Sequence, residues 1–415
     1  MHKLDESITN RVLARCDELA AISEFNDGVL RQYLTPEHQR ANQLVARYLA
    51  EAGLQSWQDS VGNQWGRLVC PNPDAPRLVL GSHLDTVPYA GKYDGILGVL
   101  MAIELLAYFS TQKPLPFHLD VVGFADEEGT RFGTTLIGSK AVANDFNGAW
   151  LELRDKDLTT MADALATFGL SAHAVHQAAI APETLIGYWE VHIEQGPVLE
   201  ALDLPIGVVT GIAGAKRAII KIAGMAGHAG TTPMHLRRDA LACAAELIQH
   251  IEQQASACTS GEVATVGDLN VKPGAANVIA GRCELTLDVR ALDDAQRDHL
   301  IQIIEAQAHK LATRRNVEVT FDWYHEAGAV LCANAFQNIF QKAADLSGLN
   351  APRLPSGAGH DAMAIAEITA VGMLFIRSPG GISHHPSESV ITEDVSVAMT
   401  TFANAVSLLA ESLTE

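Results

Sequence analysis

Apolar positions in the first half of the chain change their spacing several times. Residues 36–53 carry Ala41, Leu44, Val45, Tyr48 and Leu49 at helical intervals. Two short apolar runs follow, Leu78–Leu80 and Leu119–Ala125, each ending in charged or glycine-rich residues. Between them, a stretch rich in Leu, Val and Ala starts near Asp94 and predicts a helix. Strand, crossover helix and strand predict a mostly parallel sheet, in which ligands gather beyond the carboxyl ends of the strands.

The pattern changes after about Thr210. Strands are predicted over 217–223, 263–271 and 283–290, and helices over 236–253 and 294–314. Leu241, Leu247, Ile248 and Ile251 make the inward stripe of the first of these helices. This order describes a small α+β insert. Helix and strand resume from about Val330, with an apolar run at Ala370–Ile376. The expected fold is therefore α/β. A mostly parallel-sheet catalytic domain, 1–210 and 329–415, is interrupted by a smaller α+β domain, 211–328.

Length agrees with this division, since 415 residues exceed one ordinary core. A net charge of -20 repels phosphate backbones and argues against a nucleic-acid partner. The six cysteines form no C-x-x-C pair or zinc-knuckle spacing, which suits a reducing compartment. Met1 to Asn10 is polar and lacks the apolar segment of a signal peptide, and no apolar stretch is long enough for a bilayer. A cytoplasmic enzyme without a membrane partner is expected.

Five polar clusters carry candidate chemistry. In Gly81-Ser82-His83-Leu84-Asp85, the His and Asp are two apart and face the same way on an extended segment. A metal-bound imidazole commonly gives its second N–H to a carboxylate, and Asp85 is placed to take it. Asp94, in Lys92-Tyr93-Asp94-Gly95, opens the predicted helix. It suits an N-cap, or a carboxylate shared by two cations. Asp126-Glu127-Glu128 puts three acids directly after a buried strand. That is either an exposed acidic turn or a site in which one Glu binds metal and its neighbour takes a proton from water. A strand through Glu190-Val191-His192-Ile193-Glu194 would set Glu190, His192 and Glu194 on one face. Gly380-Gly381-Ile382-Ser383-His384-His385-Pro386 marks a constrained loop. Mixed N and O donors without thiolate suit Zn, Mn, Co or Ni better than Ca or Mg.

Read in order, GSHLDTV, KYDG, FADEEGTRFG, HIEQGPVLE, AGHAGTTPM, PGAANVI, DVRA, SGAGHDA and GISHHP closely resemble the M20 metallopeptidase clan. The match is to its hydantoinase/carbamoylase branch. That branch includes allantoate amidohydrolases, N-carbamoyl-L-amino acid hydrolases and β-ureidopropionases. The resemblance implies two divalent metal ions, a catalytic α/β domain, a smaller lid and dimerisation domain, and a homodimer. It implies that His83 and His192 hold one metal, Glu128 and His384 the other, and that Asp94 bridges them. Asp85 would be the partner of His83, and Glu127 the general base. His228 would stabilise the tetrahedral oxyanion, and Arg290 would clamp a substrate carboxylate, with Asn277 also touching substrate. Gln195, Gly359 and His360 match substrate-side positions of the catalytic domain. Lys216 lies in a stretch, Gly214–Arg217, that varies near the substrate among relatives. Two departures stand out: His385 where relatives often carry Asn, and Ala280 where Pro is common.

The resemblance implies hydrolysis of a ureido C–N bond on a small carboxylate substrate. Allantoate, releasing ureidoglycine or ureidoglycolate, ammonia and CO2, is the first expectation. The stretches HLDTVPYAGKYDGILGVL, FADEEGTRFGT and EVHIEQGPVLEA look most like bacterial proteins of allantoate breakdown. N-carbamoyl-L-amino acids come second and N-carbamoyl-β-alanine third. A peptidase of the clan is disfavoured, because such enzymes more often carry a carboxylate where this chain has His192. A non-catalytic protein on the same fold should have lost Glu127 or a ligand, and none is missing.

Overall fold

Strand β1, Arg77–His83, is buried along nearly its whole length, as its unbroken apolar run predicts. Helix α1, Ile96–Ser110, is buried almost all round, so it packs between layers instead of lying on the surface. Its one buried acid, Glu104, is neutralised by Arg11 at 2.8 Å and Arg15 at 2.6 Å. Strand β2 (His118–Phe124) and strand β3 (Leu185–Ile193) pair in parallel with the two edges of β1, and His83 stands opposite Phe124. A computed structural model describes residues 2 and 4–414. It divides into two units, Met1–Thr210 with Cys332–Glu415, and Gly211–Leu331.

The second unit is an antiparallel sheet with helices on one face. Strand β4 (Gly214–Ala223) pairs along its full length with β5 (Arg282–Ala291), and on its other edge with β6 (Glu318–Ala327). Helices α2 (Ala240–Ala257) and α3 (Asp294–Arg315) cover one side, meeting Ile220, Ile222, Cys283, Leu285, Leu287 and Val289. Strand alternation explains this: every second residue of β5 is buried. Both helices begin at a capping Asp. Asp239 accepts the N–H of Ala242, and Asp293 accepts those of Ala295 and Gln296. Two expectations change. The inward stripe of α2 runs Ala240, Cys243, Ala244, Leu247 and Ile251, so Leu241 lies about 100° away and is exposed. The strand expected over 263–271 is two short strands, Val263–Thr265 and Leu269–Lys272, both paired with β5.

The chain returns to the first unit and forms β7, Val371–Ile376, parallel to β3. The central order is thus β2-β1-β3-β7, all parallel. Flanking strands are antiparallel: Gln64–Leu68 beside β2, and Ile206–Ile212 beside β7. The fold is mixed α/β. Trp189 of β3 anchors the helix layer, with the rings of Phe340 and Phe402 at 4.8 and 5.8 Å.

Candidate active site

The carboxyl ends of the four parallel strands converge on one cluster. His83 is the last residue of β1, and His192 is the last but one of β3. Asp126, Glu127 and Glu128 follow β2, and His384 lies on the loop after β7. Asp94 stands two residues before α1. The helix N-cap is Gly95, not Asp94, so the Asp94 side chain is not used on the helix. Gly95 has φ +73°, and a Cβ there would come within 2.4 Å of His83 Nε2. Gly98 is needed for the same closeness: a Cβ would sit 2.1 Å from the Val191 carbonyl oxygen. These two glycines let the start of α1 lie directly against the two imidazole-bearing strands.

Asp94 is the centre of the arrangement. Its Oδ1 lies 3.1 Å from His192 Nε2 and 3.6 Å from His83 Nε2. Its Oδ2 lies 3.1 Å from His384 Nε2, and that nitrogen is 3.5 Å from Glu128 Oε1. Two donor groups result, His83-Asp94-His192 and Asp94-Glu128-His384, each with ligand atoms within 4.8 Å of one another. The two groups share one carboxylate. The next histidine, His385, turns away and hydrogen-bonds Ser387. His384 and Gln195 both hold positive φ, 55° and 56°, a strained setting for non-glycine residues that clusters at functional sites.

Outer contacts orient these groups. His83 Nδ1 is 3.0 Å from the Asp85 carbonyl, and His192 Nδ1 is 2.9 Å from the Ile193 carbonyl, leaving both Nε2 atoms towards Asp94. The Asp85 carboxylate is therefore not the closest partner of His83. Instead its two oxygens accept the N–H groups of Glu127 (2.9 Å) and Glu128 (3.0 Å), holding the acidic turn in place. The reason is local: after β2 the chain turns, and two of its backbone donors face the buried Asp85 carboxylate. Asp85→Asn keeps one good acceptor and loses the other. It should lower kcat about tenfold or more, with unchanged circular dichroism; activity within twofold of the parent would remove Asp85 from the orienting role.

Electrostatics describe a site short of positive charge. Burial pushes Glu127 well above the ordinary glutamate range, and neighbouring Glu128 adds to it. Burial, with Asp94 nearby, pushes Glu128 up to about 7. Burial opposes the charged form of Asp94 too, but hydrogen bonds from His192, His384 and His83 hold it well below the usual carboxylate range. The acidic turn is thus not an exposed one: Asp126 is fully buried and Glu127 is 9% exposed.

Other expected residues fall differently. β3 ends at Ile193, so Glu194 leaves the face shared by Glu190 and His192. Its carboxylate takes the N–H groups of Val198 (2.7 Å) and Leu199 (3.0 Å) at a short helix. Glu190 lies below the site, bound by Ser82 at 2.7 Å and Tyr188 at 3.1 Å. His360 is also buried, its ring 4.5 Å from His192 and its Nε2 2.7 Å from Ser356 Oγ. Gly359 flanks the acidic turn, where a Cβ would lie 3.8 Å from Glu127 Oε1. Gln195 Nε2 donates to Asp94 Oδ2 at 2.9 Å and to Ser383 Oγ at 3.0 Å. Ser383 and Glu388 went unassigned from the sequence. Both touch the Asp94 segment, and nothing local in SHHPSES reports contacts so distant along the chain.

On the smaller unit, His228 and Asn277 are neighbours, since the Ala229 N–H bonds the Asn277 carbonyl at 2.9 Å. Arg290 lies on the sheet face away from α2 and α3, paired with Asp288 at 2.9 Å, which also takes Arg217. Lys216 is on the opposite face, held by Asp298 (3.1 Å) and Glu326 (3.0 Å). There it lines a cleft of ≈ 530 Å³ with Glu305 and Trp323. Arg290 and Lys216 are therefore not brought together.

The model of peptidase family M20/M25/M40 matches residues 79–408, which span every residue of the cluster. The chain belongs to this family. Among similar proteins, the N-carbamoyl-L-amino acid amidohydrolase of Geobacillus stearothermophilus is 42% identical to this M20 chain over 403 residues, covering 97% of the chain and 98% of the relative. Allantoate deiminase 2 of Glycine max is 38% identical over 420 residues, covering 94% and 87%. A crystal structure of an amidase of the hydantoinase/carbamoylase family from Burkholderia multivorans superposes with a TM-score of 0.91 at 30% identity, covering 97% of each chain.

Proposed function

We propose that this M20 chain is a two-metal amidohydrolase that cleaves a ureido C–N bond of a small carboxylate substrate, allantoate first, releasing ureidoglycine, ammonia and CO2. One observation carries the reaction class: a single carboxylate, Asp94, is shared by two donor groups, with the buried Glu127 next to Glu128. The donor chemistry fits divalent ions. Five N and O ligands, one of them shared, supply two negative charges from Asp94 and Glu128, and burial of these carboxylates is unfavourable without cations beside them. His83 and His192 would hold one ion and Glu128 and His384 the other, of Mn, Zn, Co or Ni. When bound, such ions polarise the scissile carbonyl and make water a stronger acid.

The chain's own residues do the rest. Glu127 accepts a proton from the attacking water and returns it to the leaving nitrogen; a C–O bond forms, the C–N bond breaks and the nitrogen departs protonated. Asp85 fixes the Glu127 backbone for this exchange. Under the same reading His228 stabilises the developing oxyanion, Arg290 binds the substrate carboxylate, and Asn277, Gln195, Gly359 and His360 complete the substrate contacts, while Lys216, held by Asp298 and Glu326 on the other sheet face, drops out of them. The assignment puts the chain in purine catabolism. Six free cysteines favour a cytoplasmic setting. No helix among the described residues is long and apolar enough to cross a membrane. A homodimer is also proposed. Edge strand β6 bonds only β4 among the described residues, and it carries the exposed Trp323 and Tyr324, an edge that a second copy would cover.

N-carbamoyl-L-amino acids are the second reading, favoured by the 42% identity of the Geobacillus relative. β-Ureidopropionase and peptidase activities follow. A panel of allantoate, several N-carbamoyl-L-amino acids, N-carbamoyl-β-alanine and a dipeptide separates them, with ammonia release as the readout and amine release for the dipeptide. Allantoate is expected to give the highest kcat/KM by about tenfold, a difference of roughly 1.4 kcal/mol in transition-state binding. A tenfold preference for a carbamoyl amino acid would transfer the assignment, and turnover of the dipeptide alone would sink both readings.

A further inference from the structure

We propose that Glu388 is a positioning residue that joins the Asp94 segment to the His384 loop and so sets the spacing of the two donor groups. The proposal rests on the two-metal reading above. Glu388 is 4% exposed, although it follows the exposed stretch His384 to Ser387. Its Oε1 accepts the N–H groups of Tyr93 (2.8 Å) and Asp94 (3.1 Å). Its Oε2 lies 3.2 Å from Ser383 Oγ. The Ser383 hydroxyl is also 3.0 Å from Asp94 Oδ2 and accepts from Gln195 Nε2 at 3.0 Å.

This side chain therefore holds the backbone of the shared ligand with one oxygen and the residue before His384 with the other. A hydroxyl has one proton, so Ser383 can donate to either Glu388 or Asp94 at one time. That makes it a bridge between the two carboxylates. The packing is made for the acid. At Gly91, a Cβ would lie 2.3 Å from Glu388 Cβ and 2.5 Å from its Oε1, so only glycine leaves the carboxylate where it is. His384 needs such a brace. Its side chain is half exposed and its backbone holds φ +55°, so the loop alone does little to fix where Nε2 points. Glu388 touches no proposed ligand through a metal position. It acts through the two backbones and one hydroxyl that carry Asp94 and His384. Groups of this kind around metal ligands typically change metal affinity about 10–100-fold when replaced.

The test compares the parent chain with Glu388→Gln and Ser383→Ala. Glu388→Gln keeps size but turns one acceptor oxygen into a donor; Ser383→Ala removes the bridge and leaves the carboxylate. Mn2+ affinity is measured by chelator competition on the full metal-free chain. The melting temperature is measured metal-free, and kcat and KM are measured with saturating Mn2+ on the best substrate of the panel. Glu388→Gln is expected to weaken Mn2+ binding about 10–100-fold and to lower kcat, with KM changed less than about threefold. Ser383→Ala should shift affinity in the same direction by a smaller factor, with an unchanged metal-free melting temperature. Parent-like Mn2+ affinity and kcat in both variants would overturn the proposal. So would an affinity loss in Glu388→Gln that comes only with a lowered metal-free melting temperature while Ser383→Ala binds Mn2+ normally, for Glu388 would then be a strut of the fold. If the parent itself binds no Mn2+, the two-metal reading fails, and that result is distinct from either of these.

Discussion

Glu127→Gln is expected to lower kcat by about 10²–10⁴-fold, the usual contribution of a general base, while leaving Mn2+ binding and the fold intact. The amide is nearly the same size as the acid, and the Glu127 N–H remains on Asp85. The bond that the Glu127 residue makes to Asp85 comes from its backbone N–H, which the substitution leaves unchanged. What disappears is the ability to accept a proton in a buried place next to Glu128 and the Gly359 backbone. The measurement is kcat by ammonia release on the preferred substrate, with Mn2+ affinity and melting temperature in parallel. A kcat within threefold of the parent would take the role of base away from Glu127. A large loss accompanied by loss of Mn2+ binding would instead make it a ligand; its closeness to His83 and Glu128 makes that a real alternative to separate.

Removal of divalent ions should have the other large effect. Dialysis against a strong chelator is expected to take activity to background, with recovery on adding Mn2+, Zn2+, Co2+ or Ni2+. The same treatment should lower the melting temperature. A ligand that binds only the folded chain stabilises it by about 2.7 kcal/mol at one hundred times its dissociation constant. The physical source is the site itself: Asp94, Glu127 and Glu128 are crowded into a buried cluster, and burial pushes two of them towards the neutral form. Cations relieve that cost, and chelation restores it. Activity that survives removal of metal, verified by elemental analysis, defeats the two-metal reading.

The parts of this architecture that were legible in the sequence share a physical reason. Leu78–Leu80 and Leu119–Ala125 are short and mostly apolar because β1 and β2 are covered on both faces; the one charge inside the second, Asp120, is buried against Arg67 at 2.7 Å. Polar residues at the carboxyl ends of such strands lie where ligands gather, so His83, Asp126 to Glu128 and His192 became candidates, although each cluster alone also fits a plain polar loop and only the ordered series of motifs separated the two. The misreadings arise where one residue of phase or one backbone donor decides. Leu241 is apolar and close to the helical stripe, yet α2 turns it outward because Ala240, Cys243 and Ala244 take the sheet side. Glu194 has the right parity for the site, but β3 stops one residue earlier and the free N–H groups of Val198 and Leu199 claim its carboxylate. Lys216 and the further partners of Asp85, which also lies 3.6 Å from His83 Nδ1, show the same limit. The N–H groups of Glu127 and Glu128 that meet Asp85, and Asp298 and Glu326 that hold Lys216, are remote in sequence, and a local pattern does not record them. Glu388 is the extreme case, its two backbone donors coming from a loop before α1.

The late position of β7 has a consequence for synthesis on the ribosome. Val371 lies 178 residues beyond Ile193, the end of β3, and the whole second unit is made in between. At roughly 5–20 residues per second, that interval lasts on the order of 10–35 s. Throughout it the edge of β3 that β7 will occupy has no partner from this sheet, and the residues that follow it include the equally apolar strand Ile206–Ile212. The nascent chain thus carries an open, hydrophobic sheet edge for many seconds before its own last strand arrives, a period in which chaperone binding or mispairing with another nascent copy competes with completion of the metal-bearing sheet.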